Sequence, residues 1–115
     1  MADCLFCKMV AGEIPVTPIK RSPDAIAIRD INPQAPAHAL VIPTRHYAAA
    51  RDAKGGEGER VLGTLLAFAA ELATELGLDA GGYRIVTNTG RDAGQSVDHL
   101  HLHLLGGRKM AWPPG

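Results

Sequence analysis

The chain's 115 residues are enough for one domain with one core and too few for two. Twelve Lys and Arg balance twelve Asp and Glu, so net charge gives no pull toward nucleic acid or an anionic membrane, and any phosphate recognition has to be local. The opening Met1-Ala2-Asp3-Cys4 lacks a basic segment followed by an apolar run, and no stretch approaches the roughly 18 apolar residues of a membrane span; the expectation is a cytoplasmic protein.

Residues 4 to 11 read as a short helix, with Leu5, Phe6 and Met9 at near-helical spacing, Asp3 as N-cap and Gly12 as terminator. Within it, Cys4-x-x-Cys7 suggests metal ligation or redox chemistry more than a structural disulfide, and supplies half of a tetrahedral zinc site. No βαβ pattern surrounds it, which weighs against a thioredoxin-like unit. Segments around 17–21, 25–30 and 38–43 are short, rich in β-formers and bounded by proline or aspartate, so they read as strands in meander-like connection. The charged, glycine-rich stretch from Arg51 to Arg60 reads as a loop. Val61 to Leu76 reads as a helix whose buried stripe is Leu62, Leu65, Leu66, Ala69, Leu72 and Leu76, with Gly77 as its C-cap. Tyr83 to Asn88 gives a fourth strand and residues 99 to 105 a fifth. Strands grouped with helices packed on one side indicate an α+β fold with an antiparallel sheet.

The most informative run is His99-Leu100-His101-Leu102-His103, three of the chain's five histidines. Successive side chains of a strand point to opposite faces, so a period of two sets the three imidazoles on one side and Leu100, Leu102 and Leu104 on the other. A helix, at about 100° per residue, would scatter them. A plain metal site or a solvated sheet face would also produce a histidine-rich strand. Imidazole titrates near neutrality and serves as nucleophile, general acid or base, or phosphate ligand, so three on one face suggest a divided task. Just upstream, Gly94-Gln95-Ser96 follows a turn-rich stretch from Asn88; glycine backbone and a serine hydroxyl suit an anion, although the same residues are ordinary loop chemistry.

These residues resemble a known family. His99-Leu100-His101-Leu102-His103-Leu104-Leu105 fits the histidine triad pattern, His-φ-His-φ-His-φ-φ with φ hydrophobic, at every position. Gly94-Gln95-Ser96, Gly106-Gly107-Arg108 and Trp112-Pro113-Pro114-Gly115 resemble the histidine triad nucleotide-binding branch, whose members are nucleoside phosphoramidate hydrolases. The similarity extends through Asp30 to Pro36, His38 and Leu40-Val41-Ile42-Pro43, and so covers nearly the whole chain as a single domain, 1–115.

The resemblance implies a five-stranded antiparallel sheet with one long and one short helix, joined to its twin in a homodimer of ten strands. It implies that His101 is the nucleophile of a double displacement at the α-phosphorus of a purine nucleoside 5′-phosphoramidate, with a backbone carbonyl such as that of His99 holding its other nitrogen. His103 would contact the phosphate and assist the departing nitrogen, and His38 would support the cluster. Asp30 matches the carboxylate that accepts the ribose hydroxyls. Phe6, Met9, Ile14 and Ile31 match the walls around the purine, Asn88, Gly94, Gln95 and Ser96 the contacts to phosphate and leaving group, and Trp112 a tail aromatic that reaches the partner's site.

Purine nucleotides, AMP and GMP among them, are the implied ligands, with no catalytic metal. In some bacterial members opening with Cys-x-x-Cys a zinc is completed by residues corresponding to His46 and His99; the alternative is two small buried thiols. Dinucleoside polyphosphate hydrolysis, nucleotidyl transfer, and a nucleotide-binding scaffold with incidental hydrolysis are the competing functions. Asp98, where close relatives carry an aromatic or apolar residue, and the glycine-rich 51–60 stretch depart from the pattern.

Overall fold

The computed structural model describes residues 3–115; the leader reading at Met1 and Ala2 lies outside them. Helix α1 spans Leu5–Val10. Its N-cap is Cys4 rather than Asp3: the Cys4 Sγ accepts the Cys7 N–H at 3.4 Å, so a thiol takes the place of the usual hydroxyl or carboxylate. The strands are β1 (Lys20–Arg21), β2 (Ala25–Arg29), β3 (Ala37–Pro43), β4 (Tyr83–Val86) and β5 (Leu102–Gly106). They form one antiparallel sheet in the order β1-β2-β3-β5-β4. The first three make a meander, and β5 then inserts between β3 and β4, leaving β4 as a free edge. The fold is α+β, as expected.

Helix α2 runs Gly56–Glu75 and begins five residues earlier than the sequence suggests. Gly55, at φ 73°, turns the chain into it; Glu57 and Glu59 face the positive end of the helix dipole, and Glu57 pairs with Arg60. Gly58 is there for contact rather than for looseness, since a Cβ would sit 2.4 Å from the Ala53 carbonyl oxygen in the preceding 3-10 turn, Ala50–Ala53. At the far end, Gly77 (φ 74°) and Leu78 return their N–H groups to Thr74 and Ala73 at 3.0 and 2.9 Å, a Schellman closure.

The sheet's period of two sorts its residues between two cores. Ala25, Ala27, Ala39, Val41, Leu102 and Leu104 pack under Leu65, Phe68, Ala69 and Leu72 of α2; the small alanines admit the helix closely. Leu66, placed on the buried stripe by spacing, is 53% exposed, and Val61, Phe68 and Ala73 are buried instead. On the opposite face Ile26, Ile28 and Ile42 pack with Phe6 of α1. Among the described residues no helix is long and apolar enough to cross a membrane.

Candidate active site

The second sheet face gathers the histidines. Cross-strand partners share a face, and the register pairs His38 with Leu105 and Leu40 with His103. Ile28 and Leu40 of the sheet and Leu5, Phe6 and Met9 of α1 therefore wall a cleft of about 250 Å³ that His101 and His103 also line. Arg29, Asp30, Ile31, Ser96 and Val97 complete its lining.

His99 and His101 lie before the first residue of β5, outside the ladder, with His99 in a bend. Other bonds hold this segment: Leu100 N–H donates to the Tyr47 carbonyl at 2.6 Å, and the Thr87 hydroxyl donates to the His101 carbonyl at 2.9 Å. His101 Nδ1 lies 2.7 Å from the carbonyl oxygen of His99. A carbonyl only accepts, so Nδ1 carries the proton and Nε2 keeps its lone pair. Phe6 meets the His101 ring edge-on at 5.1 Å.

The same logic fixes His103. The Gln34 N–H donates to His38 Nδ1 at 3.0 Å, which leaves the His38 proton on Nε2, 2.9 Å from His103 Nδ1. His103 then accepts at Nδ1 and carries its own proton on Nε2. One oxygen of Asp30 lies 3.4 Å from His38 Nε2 while the other accepts the Asn32 N–H at 2.8 Å. Burial pushes the His103 pKa below its usual value, helped by the neighbouring His101 and His38 and opposed by Asp30.

On the other side of His99 is a second cluster. His99 Nε2 donates to the Pro43 carbonyl at 3.1 Å, so Nδ1 is bare. It faces His46 Nδ1 at 3.1 Å, Cys4 Sγ at 3.3 Å and Cys7 Sγ at 3.5 Å, and Cys7 Sγ lies 3.3 Å from His46 Nδ1. Zinc–ligand bonds of about 2.3 Å to sulfur and 2.0–2.1 Å to nitrogen give tetrahedral edges of about 3.3–3.8 Å, so the donors fit a structural zinc in both spacing and type. Burial holds His99 toward its neutral, ligating form. The Cys7 thiol is pushed up by burial and by its Cys4 neighbour, a crowding of donors that a cation relieves.

Of the residues singled out for nucleotide contact, Phe6, Met9, Asp30, Ile31 and Ser96 line the cleft, with Ile31 fully exposed at its rim. Ile14, Asn88, Gly94, Gln95 and Trp112 lie outside its lining. The Gln95 side chain staples its own loop, donating to Ala48 and Val97 carbonyls at 2.7 and 3.0 Å and accepting from Gly90 N–H at 2.9 Å. The N–H groups of Gly94 and Gln95 also close on Arg91 and Gly90. Trp112 is 82% exposed. Sequence reasoning missed Ile28 and Leu40, and also Leu5, Arg29 and Val97, as cleft residues. The alternation along β2 and β3 could have found the first two, since it places them on the face of His38.

Comparison with known proteins agrees with this geometry. A family model described as the HIT domain matches residues 11–110. The crystal structure of a HIT family hydrolase from Legionella pneumophila Philadelphia 1 is 48% identical, with a TM-score of 0.93 over 98% of this chain and 100% of that one. The histidine triad nucleotide-binding protein of Candida albicans is 33% identical, with a TM-score of 0.81 over 96% of this chain and 83% of its own. The 14 kDa zinc-binding protein of Zea mays is 46% identical across 96% of this chain and 87% of the maize protein. With the triad, its fold and its matched length all in register, the chain belongs to the HIT domain family.

Proposed function

We propose that the protein is a purine nucleoside 5′-phosphoramidate hydrolase working through a covalent nucleotidyl-histidine. The observation that carries this reading is the fixed protonation of the pair lining the cleft: His101 with a lone pair on Nε2 and His103 with a proton on Nε2. A P–N bond needs both, a nucleophile for phosphorus and a proton for an amine that leaves poorly without one. His101 Nε2 attacks the α-phosphorus, the P–N bond to the amine breaks, and the amine departs with a proton from His103. Water then attacks the nucleotidyl-histidine, giving up its proton to His103 and restoring His101. Similarity to a hydrolase and to a nucleotide-binding protein supports the assignment.

Phe6, Met9, Ile28 and Leu40 give the cleft an apolar lining suited to a base, with Asp30 beside them for the ribose hydroxyls. At about 250 Å³ the cleft is at the small end for ligand sites, which suits one nucleoside rather than two. Ser96, a loop residue in the cleft lining, would meet the phosphate.

Cys4, Cys7, His46 and His99 would hold a zinc that, with four protein ligands and no open position, ties α1 to the catalytic segment. A homodimer, with the free β4 edge and exposed Leu66 as candidate contacts, and a cytoplasmic location belong to the same reading. The deciding assay is turnover of adenosine 5′-phosphoramidate against a diadenosine polyphosphate, with and without a His101 substitution. Hydrolysis of the first, lost with His101, is expected; preference for the second would move the enzyme to polyphosphate chemistry, and tight nucleotide binding without turnover would make it a scaffold.

A further inference from the structure

Helix α1 serves two sites at once. Cys4 caps it and Cys7 sits in its first turn, and both belong to the metal-type cluster with His46 and His99; Leu5, Phe6 and Met9, interleaved with them, line the cleft. A helix of six residues is too short to hold its own place, being well under the roughly 12 that an isolated helix needs, and Phe6 is its one buried residue. The Phe6 ring stands edge-on to His99 of the cluster at 5.8 Å and to His101 of the cleft at 5.1 Å. Leu5, Ser96 and Val97 line the cleft and also a second cavity, beside Cys4 and His46. The two sites therefore share a helix, an aromatic ring and a stretch of loop.

We propose that the metal cluster and the nucleotide cleft are thermodynamically linked through α1, so that zinc held by Cys4, Cys7, His46 and His99 strengthens nucleotide binding and nucleotide strengthens zinc binding. Each ligand fixes the same short helix, zinc through Cys4 and Cys7 and the base through Phe6 and Met9. The second to arrive finds the helix already placed and loses less conformational entropy, which makes the coupling positive. Linkage is reciprocal, so each ligand raises the affinity of the other by the same factor. Hydrolysis at low nucleotide concentration then follows zinc supply, although zinc touches no substrate. The linkage rests on the nucleotide reading of the cleft, and its effect lies in affinity rather than in turnover at saturation.

Calorimetry of AMP on the zinc-loaded and the metal-free full chain tests this, with circular dichroism checking that the metal-free form is folded. AMP is expected to bind the zinc-loaded form about fivefold more tightly, the lower end of ordinary coupling between sites, and competition with a chromophoric chelator to show zinc held about fivefold more tightly in saturating AMP. Equal affinities in either direction overturn the linkage. Should the metal-free chain be unfolded, cadmium-loaded protein, whose larger ion keeps the thiolate ligands, takes its place; AMP affinity is expected to differ by about twofold or more between the cadmium and zinc forms, and identical affinities overturn the linkage. In zinc-loaded protein AMP should also slow hydrogen exchange at the α1 amides, and unchanged exchange there overturns α1 as the connection. Phe6→Leu keeps an apolar plug without the ring against His99 and His101, and is expected to bring the coupling factor toward one in folded protein; an undiminished factor likewise overturns α1. Zinc-loaded protein that binds neither AMP nor GMP defeats the nucleotide reading, a result distinct from equal binding to both forms, and the linkage falls with it.

Discussion

The carbonyl oxygen of His99 lies 2.7 Å from Nδ1 of His101, while the side chain of the same His99 faces Cys4, Cys7 and His46. One residue therefore orients the proposed nucleophile with its backbone and anchors the metal-type cluster with its ring. The shape of His101 itself is separable from its chemistry. His101→Asn is expected to abolish turnover while leaving nucleotide affinity, measured by calorimetry, within about tenfold of wild type. A variant that keeps more than a few per cent of the rate removes His101 as nucleophile.

Asp30 already spends one oxygen on the Asn32 N–H, so the other is the one open to a ribose. Asp30→Ala should weaken AMP by about ten- to a hundredfold, the worth of hydrogen bonds to a charged acceptor, and weaken 2′-deoxy-AMP much less. Equal losses would show that the carboxylate serves only its own turn.

The pKa of His103 is depressed by burial first, so its neutral form persists below the ordinary histidine value near 6.5. The rate should stay flat as pH falls through about 6.5 and decline only below it, as His103 takes a second proton. Stability follows the same sign: the contribution is full above about 6.5 and is lost as pH falls toward the depressed value, because the unfolded chain binds the proton first. Asp30 raises the His103 pKa, so Asp30→Asn should carry the acid limb further down. A limb that moves upward in that variant contradicts its assignment to His103.

Metal analysis of protein purified without chelator should find about one zinc per chain. Stripping it, or Cys4→Ser with Cys7→Ser, should lower the melting temperature by more than about 10 °C, and reduce the rate less in protein that remains folded. Chelator added during the assay should spare hydrolysis, since imidazoles handle the phosphate charge. Zinc well under half an equivalent would sink the structural site, and a chelated rate restored by magnesium would assign the chemistry to a metal.

The histidine face was legible because alternation is a property of extended chain, whether paired or not. Where pairing begins was not: Leu100 gives its N–H to Tyr47, a partner 53 residues away that carries no local signal, and β5 starts only at Leu102. The first turn of α2 was misread for a different reason. Gly55, Gly56 and Gly58 lower helix propensity, but the Ala53 contact and the Glu57–Arg60 pair override it. Leu66 fits a helical stripe by spacing, yet its flank of α2 faces outward. The four metal-type ligands converge as the resemblance implied, whereas spacing alone offered only two.

The chain of protons that ends at His103 begins with a main-chain group, the N–H of Gln34. Every residue but proline owns that group, so the polarity of the site is written in the path of a loop rather than in any side chain. Replacing Gln34 by serine or lysine would leave the direction of proton flow intact, whereas proline there would erase its origin and free both rings to swap tautomers without altering a single histidine.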